Sequence, residues 1–294
     1  MIRRLLQRNL RLYFRDHISV FFSLLAVLIV LVLYILFLAD LSINMVSNQM
    51  NNMVDRESIS YLINSWILAG LLSITSVTST IGGLAAMVRD REYKLIADFK
   101  SAPIRRYVYV TSMISSAFII GTIISLISLA IYGAYISITT AYGFTFIQYV
   151  KAVLVIMLSS AMNACLMGLI VSFFKTGNAF SGLSLMVGST IGFLNGLYVP
   201  MGSLPSKVQT VVKCLPFGHV ASVLRKIIMK ESLDMCESGA GADAVNGLRS
   251  MFGVDLLWGG KVIKTEASLI FVMIVLAVSM VLLVINYGRK YEEI

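Results

Sequence analysis

The stretch ASLIFVMIVLAVSMVLLVINYG, residues 267–288, carries no charged side chain and decides the class of fold. A helix of roughly 20 apolar residues is long enough to cross the hydrocarbon core of a membrane. Five further segments are similarly apolar, so we expect six membrane crossings. The other predicted spans are residues 18–38, 61–88, 107–137, 149–174 and 179–199.

One uncharged run, residues 107–150, is too long for a single crossing. It must therefore reverse direction, and the polar stretch TTAYGFTF at 139–146 is the predicted turn. An even number of crossings places the two ends of the chain on the same side of the membrane.

The composition excludes a water-soluble enzyme. Hydrophobic residues make up 58% of the 294 residues and charged residues 13%, against about 45–50% and about 25% in soluble domains. So few charges cannot cover a soluble surface. The net charge of +9 does not favour nucleic acid as a partner. The basic residues lie at the ends of apolar runs, as the positive-inside rule predicts for a membrane protein.

The distribution of lysine and arginine predicts that both termini are cytoplasmic. Residues 1–16 carry five arginines, and residues 89–106 carry six basic side chains. Short connections on the opposite side carry one each, Arg56 and Lys151. The segment 201–266 carries eight, but long loops escape the rule. We expect a multi-pass plasma-membrane protein, and the lack of an Asn-X-Ser/Thr sequon favours a bacterial source.

We therefore predict an all-α integral membrane protein with a single transmembrane domain, residues 1–294. Residues 1–16 are predicted to be an interfacial helix, because at 100° per residue basic and apolar side chains fall on opposite faces. These faces are Arg4, Arg8, Arg11 and Arg15 against Ile2, Leu6, Leu10 and Tyr13. A plain basic flank is the alternative.

No pattern in the chain predicts catalysis or a cofactor. The interiors of the predicted spans contain no Asp, Glu, Lys or Arg, which disfavours ion coupling and intramembrane proteolysis. Gly259-Gly260-Lys261 is followed by Val262 and lacks the first glycine and the Ser/Thr of a P-loop. No cysteine–histidine pattern indicates a metal site. If ATP drives this protein, another chain must bind the ATP and its Mg²⁺.

Two sets of residues in the spans have more than one interpretation. Ser73, Ser76 and Thr80, with Asn195 in the fifth span, are candidates for a translocation path. Such polar side chains also bond to their own helix or a neighbouring one, so packing is the alternative. A second set, Gly188, Gly192 and Gly196, repeats at every fourth position and predicts close helix packing.

The segment 200–266 is predicted to be a long outer loop. Pro200, Pro205 and Pro216 interrupt its start, and irregular backbone at membrane depth needs shelter, so we predict a re-entrant turn. The run GAGADAVNG at 239–247 predicts a mobile external loop. Cys214 and Cys236 share this compartment, so a disulfide between them is possible. A buried, unbonded Cys214 is the alternative.

Two groups of short motifs resemble the ABC-2 type transporter permeases. One follows the second span and the other surrounds the end of the fifth. The motifs are REYKLI at 91–96 with SAPIRR at 101–106, then GLYVP at 196–200, LP at 204–205 and LPFGH at 215–219, with Arg225 beyond. The resemblance covers nearly the whole chain. The outer loop after Phe217 is longer than in the simplest members.

The resemblance implies a half-transporter with the type V exporter fold. Two permeases, either two copies or a pair of homologues, would form a central path above two separate ABC ATPase subunits. The segment after the second span would be a cytoplasmic coupling helix, with Glu92, Leu95 and Phe99 contacting the ATPase. The implied activity is export of a hydrophobic or amphipathic drug, peptide or lipid. A membrane-bound lipid-modifying enzyme and a non-transporting immunity or sensor protein are the alternatives.

Overall fold

The computed structural model describes residues 1–18, 20–21, 25, 29, 32, 39–50, 53–93 and 106–290. The predicted first span, 18–38, therefore lies largely outside the described residues. So does most of the predicted coupling segment.

The described chain folds almost entirely into helices, which confirms the predicted all-α class. The exceptions are a 3₁₀ turn at Met201–Ser203 and a two-stranded hairpin, β1 (Leu257–Trp258) with β2 (Lys261–Val262). The helices are α1 (Ile2–Arg15), α2 (Ala39–Gln49), α3 (Arg56–Gly83), α4 (Ala85–Glu92), α5 (Arg106–Thr139), α6 (Phe146–Val171), α7 (Gly177–Leu194), α8 (Ser206–Cys214), α9 (Pro216–Ile228), α10 (Lys230–Ala240), α11 (Ala242–Met251) and α12 (Thr265–Lys290).

Within the described residues, four helical segments are long and apolar enough to cross a membrane. They are Arg56–Glu92, which joins α3 to α4, and Tyr107–Thr139, Phe146–Val171 and Thr265–Asn286. These segments correspond to four of the predicted spans. The predicted span 179–199 corresponds to the shorter helix α7, and its crossing of the membrane stays a prediction. Helix α7 ends at Leu194, and Gly196 then adopts a positive φ of 69° that turns the chain.

Helix α3 forms the centre of the bundle. Its membrane-spanning stretch is 89% buried inside the protein, and it packs against α5, α6 and α9. The stretch in α12 is only 22% buried, so this helix lies at the periphery. An apolar side chain needs no protein cover where lipid surrounds it, so the apolar sequence alone does not distinguish a central helix from a peripheral one.

The predicted turn at 139–146 separates α5 from α6. Thr145 and Gln148 form a capping box at the start of α6, which satisfies backbone N–H groups that the helix leaves unpaired. On the other side of the turn, the Glu57 carboxylate accepts a hydrogen bond from the backbone N–H of Ala141 across 2.7 Å.

The expected mobile loop at 239–247 is wrong. Residues Gly239 and Ala240 end α10, Gly241 turns the chain with a φ of 84°, and the rest belongs to α11. Val245 and Leu248 are buried in the main apolar core. Two apolar side chains spaced by three residues gave this helix a buried face, which its glycine-rich composition concealed.

Candidate functional site

The last turn of α4 binds several other helices of the bundle. Successive helical residues point about 100° apart, so Asp90, Arg91 and Glu92 reach different neighbours. This turn directly precedes residues 94–105, which belong to the segment that the sequence predicts to contact an ATPase. We call these three residues, with the groups they bind, the charged junction.

Asp90 attaches α1 to α4. Its carboxylate is 2% exposed and binds Arg8 through two hydrogen bonds, Nη1 to Oδ2 at 2.8 Å and Nη2 to Oδ1 at 2.5 Å. Tyr109 of α5 donates to the same carboxylate at 3.4 Å. The hydrogen bond and the negative charge of Asp90 raise the pKa of Arg8, against the opposing effect of burial. A paired charge of this kind fixes where α1 lies against the bundle.

The structure corrects the predicted faces of α1. Leu5, Asn9 and Tyr13 are the buried residues of this helix, whereas Ile2 is 38% exposed. Arg8 was placed with the exposed basic side chains, but it turns inward to Asp90. Asp90 and Glu92 lie in the last turn of α4, which continues α3 through Leu84.

Arg91 holds the end of α6. Its Nη1 donates to the carbonyl oxygens of Val171, Ser172 and Phe174 at 2.9–3.1 Å. The last carbonyl groups of a helix have no partner within the helix, and its C-terminus carries partial negative charge. The Arg91 guanidinium donates to these carbonyl groups and places a positive charge at the negative end of the helix. Arg91 therefore stabilises the short turn between α6 and α7.

Glu92 holds the start of α7. Its Oε1 accepts a hydrogen bond from the backbone N–H of Gly177 at 3.1 Å. The position of a Cβ on Gly177 would lie 2.9 Å from Oε2, so the glycine allows this close approach. Within this chain, Glu92 is therefore bound to a helix N-terminus, and its contact with an ATPase stays a prediction. Leu95 and Phe99 lie outside the described residues.

The four candidate path residues are buried between helices. Each of them is at most 1% exposed. Ser76 lies 2.8 Å from the Ser159 hydroxyl and accepts from Asn163 at 3.2 Å. Ser73 donates to the Phe217 carbonyl at 3.4 Å, and Thr80 donates to the Ser76 carbonyl at 2.5 Å. In the single chain these side chains therefore bond within the helix bundle, and their role in a translocation path stays a prediction.

Asn195 belongs to a second junction, at the opposite end of α7. Its Nδ2 donates to the Gly70 carbonyl at 2.9 Å. Arg225, 2% exposed, donates through Nη2 to the carbonyls of Asn195 and Gly196 at 2.8 and 3.0 Å. Its guanidinium also lies 5.8 Å from the centre of the Trp66 ring. Burial lowers the pKa of Arg225. This second junction ties α7 to α3 and α9.

The three glycines of the predicted packing stripe have different surroundings. A Cβ on Gly192 would lie 2.2 Å from the Tyr198 ring, whereas one on Gly188 would meet nothing within 4 Å. Gly196 serves the turn through its positive φ. The close contact at Gly192 is therefore with the turn after its own helix.

The two outer cysteines are free thiols in the structure. Cys214 is exposed at the end of α8, whereas Cys236 is buried in α10. Burial, aided by the negative charge of Asp55, raises the pKa of Cys236 to about 12. The possible disulfide is thus not formed in this structure.

Sequence reasoning missed several residues of the two junctions. Asp90 was not singled out, and Arg91 and Arg225 were noted only within motifs. One signal was available. A buried arginine needs acceptors nearby, and the turn at Gly196, just after α7, leaves carbonyl groups that Arg225 can bind. The hydrogen-bond partners of Asp90, Arg91 and Arg225 named above lie 19 to 83 residues away along the chain, which helical periodicity does not reveal.

These features define a helical membrane protein in which one charged turn binds four other helices. The sequence profile of the ABC-2 type transporter family matches residues 1–229, well over half of the chain. The chain therefore belongs to the ABC-2 type transporter family, whose members are membrane components of transporters that act with an ABC ATPase. No curated protein gives a significant match. The matched region ends just after α9, so α10, α11, the hairpin and α12 lie beyond it.

Proposed function

We propose that this chain is the permease subunit of an ATP-driven exporter in the plasma membrane, with ATP bound and hydrolysed by a separate subunit. Family membership supports the permease role, and the charged junction is the observation that carries the coupling. The exported compound would be hydrophobic or amphipathic: a drug, a peptide or a lipid. The chain itself would be no enzyme and would bind no cofactor.

The junction supports coupling because one helical turn holds four other helices. Asp90 binds α1 and α5, Arg91 binds the end of α6, and Glu92 binds the start of α7. Residues 94–105 follow within two positions. A force applied there by an ATPase would reach these helices through charged hydrogen bonds, which are stronger than neutral ones. Leu95 and Phe99 are the proposed apolar anchors on the ATPase.

The opposite end of α7 supports a gating role for this helix. Between its two junctions α7 has only Ile191 and Gly192 buried. A helix held at its ends and loosely packed along its length can shift as a unit. We propose that its motion opens a path between two permeases, with the re-entrant α8–α9 segment at the outer end. Six crossings and cytoplasmic termini complete the proposed topology.

Apolar exposure on α7 is consistent with a second permease. Leu185 is 75% exposed and Met186 is 68% exposed. Both side chains project from a helix that carries Gly182 and Gly188, whose Cβ positions are open. Such a small-residue surface allows another membrane helix to approach closely. The partner would be a second copy of this chain or a homologous permease.

Co-purification tests the proposal directly. The full chain, tagged at the C-terminus, would be extracted from its native membranes in mild detergent. We expect an ATP-hydrolysing subunit to accompany it and to be released by Phe99→Ala, since truncating a central interface residue costs roughly 1–3 kcal/mol. Leu257→Ala, on the opposite side of the membrane, is the matched control. A permease that purifies without an ATPase from membranes that contain one would contradict the proposal.

A further inference from the structure

The hairpin before α12 has a fixed base. The backbone N–H of Ile263 donates to the Leu256 carbonyl at 2.8 Å, which closes the hairpin. Lys226 then binds both sides of this base, with Nζ 3.1 Å from the Ile263 carbonyl and 3.2 Å from the Asp255 carboxylate. Leu256 is 2% exposed and packs with Met201 and Val212. The base therefore belongs to the folded outer region.

The tip of the same hairpin is apolar and uncovered by the described residues. Trp258 is 53% exposed, Val262 50% and Leu257 37%. The strand register places Leu257 opposite Val262 and Trp258 opposite Lys261. Gly259 and Gly260 form the turn with positive φ values of 56° and 79°. Three large apolar side chains held out on a rigid base are unfavourable in water, which indicates that another apolar phase covers them.

The position of the hairpin identifies that phase. Helix α12 begins at Thr265, directly after the hairpin, and its apolar stretch is the least protein-covered of the four spanning helices. The start of a membrane-spanning helix lies at the membrane surface, so the hairpin lies at the level of the lipid headgroups. Trp residues concentrate in that zone, and lysine side chains extend towards the phosphates. Lys261 and Lys264 flank the apolar tip.

We propose that the hairpin 257–262 is an interfacial anchor that inserts Trp258, Leu257 and Val262 among the lipid headgroups. The cations of Lys261 and Lys264 complement the negative charge of the lipid phosphates. The anchor fixes the depth of α12 and, through Lys226, the depth of α9. A second copy of the chain covering the tip is the competing occupant, and the experiment distinguishes the two.

Tryptophan fluorescence tests the anchor, because the chain contains only two tryptophans and Trp66 is 6% exposed. The full chain would be reconstituted in phosphatidylcholine–phosphatidylglycerol vesicles with acyl chains brominated close to the headgroup. Subtracting the emission of Trp258→Phe isolates the Trp258 signal. We expect a blue-shifted Trp258 emission that brominated lipid quenches more strongly than aqueous iodide does.

A second variant keeps the reporter and removes the anchor. Val262→Asp places a charge beside Leu257, at a position whose side chain is 50% exposed. We expect the Trp258 emission to shift to the red and its quenching by brominated lipid to be lost, with thermal stability unchanged. The inference is overturned if iodide, but not brominated lipid, quenches wild-type Trp258. Protection from both quenchers would also overturn it, since the tip would then lie against protein.

Discussion

Glu92 of α4 lies 3.1 Å from the backbone N–H of Gly177, the first residue of α7. The carboxylate therefore sits at the positive end of the α7 dipole, where an anion is stabilised. One residue earlier, Arg91 binds the carbonyls at the negative end of α6. Two adjacent residues of opposite charge thus hold the turn between two helices by matching the polarity of each helix end.

The contact between Glu92 and Gly177 predicts an uncoupled variant. Glu92→Ala removes the acceptor at the start of α7, so movement of residues 94–105 would no longer reach that helix. We expect normal membrane insertion, a bound and active ATPase, and a loss of most export, measured in the same membrane vesicles. Glu237→Ala, an exposed glutamate on α10, is the control. Undiminished export by Glu92→Ala would show that α7 does not receive its motion through this contact.

The ion pair between Arg8 and Asp90 predicts a loss of stability when one partner is removed. Asp90→Asn leaves Arg8 facing a buried amide, and breaking a fully buried pair costs about 3–5 kcal/mol. Because the Arg8 side chain is 31% exposed, water screens part of its interaction with Asp90. We therefore expect the free energy of unfolding to fall by roughly 1–3 kcal/mol. Thermal unfolding in detergent measures the effect, with Arg4→Ala as the control.

A charge exchange at the same site provides the specific check. The double variant Arg8→Asp with Asp90→Arg restores opposite charges, and we expect it to recover part of the stability lost in each single variant. If the double variant is as unstable as the sum of the two single variants, the charges do not interact and α1 is held by its apolar face alone.

The surroundings of Gly188 and Gly192 in α7 predict different outcomes for the same glycine-to-leucine substitution. Gly192→Leu forces the new side chain into the Tyr198 ring, and overpacking of this kind costs about 1–3 kcal/mol. Gly188→Leu enters open space in the single chain. We expect Gly192→Leu to lower the unfolding temperature of the monomer and Gly188→Leu to leave it unchanged. Equal effects of the two would contradict the close contact with Tyr198.

The same pair of variants tests the proposed second permease. If the open side of α7 faces another subunit, Gly188→Leu should reduce the dimer fraction, measured by crosslinking in membranes, without affecting the monomer. An unchanged dimer fraction would place this side of α7 in lipid.

His219 predicts a loss of stability in acid. Its Nδ1 lies 3.1 Å from the Ser268 hydroxyl and its Nε2 lies 2.8 Å from the Lys213 carbonyl. The carbonyl only accepts, so Nε2 carries the proton and neutral Nδ1 accepts from Ser268. Burial lowers the pKa of His219, although the bond to Lys213 opposes this. The folded state therefore favours the neutral ring more than the unfolded state does, in which the pKa is about 6.5.

The sign of the pH effect follows from this difference. Below about pH 6.5 the unfolded chain binds a proton at this position that the folded chain resists, so the free energy of unfolding falls as the pH falls towards the folded pKa. Thermal unfolding between neutral and mildly acidic pH measures the slope. His219→Gln, which retains a polar amide, should flatten it, and an unchanged slope would assign the effect to other groups.

Local and compositional properties of the chain could be predicted from the sequence. Lipid is the only suitable surrounding for the uncharged run at 267–288. That α12 spans the membrane could therefore be predicted without knowledge of its neighbours. The polar residues at 139–146 had to form a turn, because no membrane is thick enough for the whole run 107–150. The motifs at 91–106 and 196–219 identified the family from residue order alone.

Tertiary structure alone decided which side chains meet. Helical periodicity placed Arg8 on a basic face, but only the approach of α4 turned that residue from the solvent to Asp90. The same holds for Gly192, whose close neighbour is set by the path of the chain after Gly196. Val245 and Leu248 stabilise the fold only because other parts of the chain form a core that buries them. Pairing and burial depend on the arrangement of segments distant in the chain, whereas hydrophobicity and turn chemistry reside in the segments themselves.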